Sequence, residues 1–244
     1  MSAAGQPEIN PMRRPKPNAL RALIAGVVGA MSLLGAGAAS ALEFAKHVTD
    51  GDNINAIIVR GKVMPGDTAA FKAYLARLPA KPVTAVYLDS PGGSLEEGMT
   101  LGRYFHAAGI RTLVADAGAV CTSACSTAFL GGHDRETGKP WRAKGSAARL
   151  GFHSFRFDWP DRSYTSQDMS RAIAKTQNLT LAMADYLKDV DAGLEFLRAR
   201  LRAPATGMHF MSNEEALSLG LYVLDEKTGE LIRPEFLDRH PYRW

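Results

Sequence analysis

The sequence predicts an α/β protein, a largely parallel sheet with flanking helices in a single domain. Three observations predict it. Short apolar runs alternate with amphipathic stretches of helical period along most of the chain. Glycine-bearing turns follow apolar runs and precede helical ones, as in βα units. Helix-start signals, a serine followed three residues later by glutamate, occur at Ser94/Glu97 and Ser212/Glu215.

The first element is a leader. Arg13, Arg14, Lys16 and Arg21 precede an apolar run from Leu23 to Ala38, which closes on Ala39-Ser40-Ala41. A basic stretch, an apolar stretch and a small-x-small ending are the layout of a secretory signal, so residues 1–41 are expected to be a signal peptide released after Ala41. The alternative is an N-terminal membrane anchor over residues 20–40, because the run is about long enough to span a bilayer. Either reading exports residues 42–244, with the periplasm as the expected location, and the second adds association with a membrane. The leader carries most of the formal net charge of +4, which leaves the body near neutral. With no basic cluster interleaved with aromatics, no nucleic-acid partner is expected. The body has no internal repeat and is long enough for one domain with its own core.

In the body, "NAIIVRG" (55–61) is apolar without alternation, which predicts a strand covered on both faces. "DTAAFKAYLARL" (67–78) predicts a helix with Asp67 as N-cap. "VTAVYLDS" (83–90) is a second buried strand and runs into "PGGS". Ser94 and Glu97 open a helix over 94–108 that stops at Gly109. "IRTLVAD" (110–116) is a third strand, and "AVCTSACSTAFLGG" (119–132) begins a third helix ending near Gly131-Gly132. "HDRETGKPWRAKG" (133–145) reads as a polar insertion. "AARLGFHS" (147–154) is a short strand, followed by a polar loop and a long helix from about Ser166 to Leu187. Ser212 and Glu215 open the last helical stretch.

Two of the strand-to-helix turns carry chemistry. In a parallel sheet such turns gather on one edge, where ligands bind. "DSPGGS" offers backbone N–H groups unobstructed by side chains, and "AVCTSAC" places the Ser123 hydroxyl at the positive end of a helix. A serine alcohol needs a base, and His153 at the end of its strand is the candidate. His106 lies late in an amphipathic helix, His133 in a loop expected to face solvent, and His209 after a turn; His47 and His240 fall outside the core pattern. The only two cysteines, Cys121 and Cys125, flank Ser123. Four residues apart at a helix start, their Cα atoms fall near the ~6 Å a disulfide allows. Export favours pairing, and the alternative is a pair of small buried residues. Cys-x3-Cys is not zinc-knuckle spacing, and no metal is expected.

"VYLDSPGGSLEEGMTLGRYF", "AVCTSACSTAFLGG", "RLGFHS" and "HFMSNEEALSLGLYVLD" together resemble the four-block signature of ClpP-type serine peptidases in the ClpP/crotonase superfamily, especially exported relatives with a cysteine-flanked serine. The resemblance runs from about Ile57 to Asp225. It implies a ClpP/crotonase-like fold, with Ser123 as nucleophile, His153 as base, and the N–H groups of Gly93 and Ala124 as the oxyanion hole. It also implies a peptide or protein substrate, self-association into a homo-oligomer, and no cofactor.

One position departs from the pattern. Met208 stands where the family carries its aspartate. Asp158, Asp161 or Glu214 are candidate substitutes, and a lysine base at Lys139 or Lys144 is disfavoured because a polar insertion offers no apolar wall to lower a lysine pKa. The departure keeps a second reading open, a catalytically inactive binding or assembly protein. A third, an acyl-CoA enzyme of the crotonase branch, ranks last because an exported protein rarely meets CoA.

Overall fold

Runs of β-branched and aliphatic residues form the centre of the fold, seen in a computed structural model that describes residues 41–116, 118–155, 160, 162–203 and 207–234. The proposed leader and His240 lie outside these residues. In chain order the elements are β1 (Glu43–Lys46), β2 (Ile54–Arg60), α1 (Asp67–Leu75), β3 (Val83–Asp89), α2 (Leu95–Ala108), β4 (Arg111–Val114), β5 (Val120–Thr122), α3 (Ala124–Phe129) and β6 (His133–Asp134). Then follow β7 (Lys139–Pro140), β8 (Arg142–Gly145), β9 (Arg149–Phe152), α4 (Ser166–Asp189), α5 (Glu195–Arg202), β10 (His209–Phe210), α6 (Asn213–Ser218), β11 (Tyr222–Leu224) and β12 (Leu231–Ile232).

The main sheet has seven strands in the order β1-β2-β3-β4-β8-β11-β12. Strands β2, β3, β4, β8 and β11 are mutually parallel, and the two edge strands are antiparallel. A parallel interior explains the unalternating sequence of β2, in which Ala56, Ile57 and Val59 are all fully buried. Beside it, β10-β9-β5 form a small second sheet, with β5 parallel to β9. Phe71, Phe105, Phe129 and Tyr186 are fully buried between helices and sheet. Each such side chain contributes about 1.5–3 kcal/mol by leaving water.

Three expectations change. The segment 133–145 is not a plain insertion, because its second half, β8, is an interior strand of the main sheet with Arg142 and Lys144 both buried. The charges are accommodated at their tips: the Arg142 guanidinium donates to the carbonyls of Val190 and Asp191, and Lys144 Nζ donates to Gly145 O (2.9 Å) and Asn213 Oδ1 (2.7 Å). Burial therefore pushes the Lys144 pKa down, against expectation. Lys139 is exposed, as expected.

Asp67 is not the cap of α1. That position is Gly66, and the Asp67 carboxylate accepts instead from Met64 N (2.6 Å) and Leu42 N (3.3 Å), tying the entry segment to the fold. Finally, the two Ser/Glu pairs are half boxes. Ser94 and Ser212 cap as expected, but Glu97 turns to Thr68 N (2.7 Å) and Glu215 to His209 Nε2 (2.8 Å), so each carboxylate joins two elements rather than closing its own helix. No helix among the described residues is long and apolar enough to cross a membrane.

Candidate active site

The turn after β3 and the turn after β5 are stitched together by backbone. Ser90 N donates to Val120 O (2.7 Å), Thr122 N to Ser90 O (3.1 Å), and the Thr122 hydroxyl to Pro91 O (2.9 Å). The contact is close enough to demand glycine. At Gly92 (φ 93°) a Cβ would lie 2.5 Å from Thr122 O and 2.7 Å from Ser123 Cβ. At Gly93 (φ 151°) it would lie 2.1 Å from Val63 O. Val63 pairs with the flanking groups, Val63 N with Gly92 O and Ser94 N with Val63 O. In such a parallel bridge the N–H of Gly93 itself points away from Val63, and Gly93 lines the same cleft as Ser123.

Ser123 has φ 60° and ψ −117°, a conformation that L-residues with a Cβ rarely adopt. It is held there from several directions. Its N–H donates to Gly151 O (3.2 Å), and its carbonyl accepts from the hydroxyl of Ser126 (2.8 Å) and from the N–H (3.1 Å) and hydroxyl (3.2 Å) of Thr127. Cys121 and Cys125 form a disulfide across the turn, with a Cα–Cα distance of 5.2 Å. Ala124, the first residue of α3, carries one of the N–H groups that a helix cannot satisfy internally.

His153 follows β9, whose backbone takes the Ser123 N–H. Its Nε2 lies 2.7 Å from Ser123 Oγ, and its Nδ1 lies 2.6 Å from Ser154 O. A carbonyl only accepts, so Nδ1 carries the proton, and in the neutral ring the lone pair of Nε2 faces the serine hydroxyl. Strand β10 pairs with β9 in the register His209 to Phe152 and Phe210 to Gly151. Met208 is the residue before β10, and its side chain packs against Gly151, two residues before His153. Glu214 is exposed, and its own backbone N–H, the Ser212 hydroxyl and the Lys144 charge hold its pKa down; Asp158 and Asp161 lie outside the described residues.

Arg200 was not among the sequence candidates. It is buried on α5 and donates to His153 O (3.2 Å) and to the Thr127 hydroxyl (2.7 Å). Burial lowers its pKa to about 10, so it remains a cation at neutral pH. The signal was present in the sequence: Phe196, Ala199, Arg200 and Ala203 form one helical stripe, and all four are buried. With Gly93, Ser123, His153, Phe155 and Lys175 it lines an open cleft of about 280 Å³.

The remaining histidines among the described residues are engaged elsewhere. His47 contacts Asp116 (2.7 Å) and stacks on Tyr87, and His209 pairs with Glu215. His133, expected in an exposed loop, is half-buried with its ring 4.4 Å from that of His106. Of the expected residues, Gly93, Ser123 and His153 line one cleft, Ala124 follows Ser123 at the start of α3, and Cys121 and Cys125 are paired across the serine turn. No family model matches the chain, and no curated protein is significantly similar to it.

Proposed function

We propose that this chain is an exported serine hydrolase of ClpP/crotonase-like fold that cleaves peptides. The observation that carries the reading is the 2.7 Å approach of His153 Nε2 to a Ser123 hydroxyl held in an unfavourable backbone conformation. The four sequence blocks support the family assignment, and the parallel strands ending in the two stitched turns are compatible with it.

In this reading Ser123 Oγ attacks the scissile carbonyl carbon while its proton passes to His153 Nε2. The carbonyl oxygen becomes an oxyanion and accepts from the N–H groups of Gly93 and Ala124. Collapse breaks the C–N bond, Nε2 returns the proton to the leaving amine, and water then releases the acyl group through the same base. Ser154 O accepts from Nδ1 and so favours the tautomer of His153 whose Nε2 lone pair faces the serine. A peptide would lie as an added strand along the glycine turn. The substrate is delivered in the periplasm, and the active form is a homo-oligomer.

A fluorophosphonate probe tests the reading. Wild-type protein is expected to be labelled in a Ser123-dependent manner, with Ser123→Ala silent and His153→Ala strongly slowed. Absence of labelling in folded, oxidised protein would replace the proposal with a non-catalytic binding protein, the reading that Met208 favours.

A further inference from the structure

We propose that His106, His133 and Asp191 form a binding site for a divalent transition-metal ion, with zinc the best fit. The proposal is independent of the hydrolase reading. His106 lies in the last turn of α2, roughly 18 Å of helix from the Ser94 cap at the cleft. His133 opens β6, and Asp191 lies in the turn after α4.

Three side chains from three separate elements each offer one ligand atom, and these atoms all lie within 4.8 Å of one another. Zinc bonds of about 2.0–2.1 Å at tetrahedral angles put neighbouring ligand atoms roughly 3.3 Å apart. His106 Nε2 and Asp191 Oδ2 are already 3.1 Å apart, and the two imidazole rings are 4.4 Å centre to centre. Closing the third ligand onto the pair is a change on the scale of a side-chain rotation.

A second observation points the same way. Nδ1 of His133 is sealed from solvent without a hydrogen-bond partner of good geometry. The turn that carries Asp191 is prepared as well. Its backbone sits at φ 50°, and its carbonyl is held by the Arg142 guanidinium (3.2 Å). The Asp191 side chain is 57% exposed, which gives the ion an entry path and leaves water to complete the shell.

The ligand set selects the ion. Two imidazoles and one carboxylate suit zinc, nickel or copper, whereas magnesium and calcium require a cage of oxygens. The neighbouring Arg142 charge and the count of three protein ligands make the site weaker than a four-ligand structural zinc centre. A bound ion would tie α2, β6 and the α4–α5 turn together and so stabilise the fold by mass action.

Calorimetric titration of zinc chloride into untagged protein, stripped with chelator and dialysed, tests the proposal. One saturable site is expected with a dissociation constant on the order of 10 μM or tighter, with a thermal upshift that magnesium does not reproduce. His133→Asn and Asp191→Asn should each weaken binding at least about tenfold, while His47→Gln should not. Asp191→Asn guards against misfolding, since asparagine tolerates a left-handed backbone and the side chain is exposed. Absence of saturable binding, or equal affinity in wild type and Asp191→Asn, overturns the proposal.

Discussion

Arg200 holds the carbonyl oxygen of His153 at 3.2 Å from a helix that begins more than forty residues further along the chain. The same guanidinium binds the Thr127 hydroxyl at 2.7 Å, and Thr127 in turn caps the Ser123 carbonyl. His153 and Ser123 are therefore both positioned by one buried cation. Arg200→Met should leave these acceptors unpaired and cost about 2–4 kcal/mol of stability. Probe labelling should fall about 100-fold, because a displacement of about 1 Å at the reacting pair has that effect. Arg200→Lys should restore part of the rate without changing its pH profile, which melting curves and labelling at several pH values will check.

Met208 directly precedes the His209–Phe152 pair, and its side chain packs on Gly151, close to the strand end that carries His153. A carboxylate there would add negative charge beside the imidazole at the moment it takes the proton. Met208→Asp should therefore raise the labelling rate at neutral pH by at least about tenfold, a fraction of the roughly 10⁴ that such a carboxylate contributes in a well-studied protease. An unchanged rate would show that the ring is already served by another acceptor.

Gly93 cannot accept a side chain, since a Cβ would lie 2.1 Å from the Val63 carbonyl oxygen. Gly93→Ala should displace the turn, lower stability by about 2–4 kcal/mol and abolish labelling. Gly66, with φ 98° and nothing within 4 Å of the place a Cβ would take, provides the comparison. Gly66→Ala should cost only about 1 kcal/mol and leave labelling intact.

The Cys121–Cys125 bridge closes a loop with a sequence separation of only four. Chain entropy then assigns it about 2 kcal/mol. Reduction should lower Tm by about 4–8 °C and slow labelling by a larger factor than the stability loss explains, because the bridge spans the serine turn. Melting and labelling with and without dithiothreitol separate the two effects.

Glu226 links two distant segments. Burial alone would raise its pKa, but hydrogen bonds from the Ser146 hydroxyl and the Ala147 N–H outweigh that and hold it below the ordinary glutamate value. A depressed folded pKa means stability present above the unfolded pKa and lost as pH falls through the folded one. The Tm gap between wild type and Glu226→Gln should therefore be open at pH 7 and narrow progressively from about pH 5 downward. A gap independent of pH would show that the carboxylate charge plays no part.

Much of the site was legible because its residues carry strong local signals. A double glycine after an apolar strand, a serine at a helix start and a histidine at a strand end all announce themselves within a few positions. What escaped reading depended on distant partners. Strand β8 contains Arg142 and Lys144, and the carbonyls of Val190, Asp191 and Gly145 and the Asn213 side-chain oxygen help make those charges tolerable in a sheet interior. Arg200 lies on the apolar stripe of Phe196, Ala199 and Ala203, but what it does there follows only from its acceptors, His153 O and the Thr127 hydroxyl. The carboxylates of Asp67, Glu97 and Glu215 were assigned to their own helices by spacing, and each found a better donor in another segment.

The backbone of Ser123 has one further implication. At φ 60° and ψ −117° glycine would sit with less strain than serine, by about 1–3 kcal/mol. Foldability and chemistry thus pull in opposite directions at a single codon. The strain and the hydroxyl that faces His153 coincide, so Ser123→Gly would relieve the one and remove the other in a single substitution.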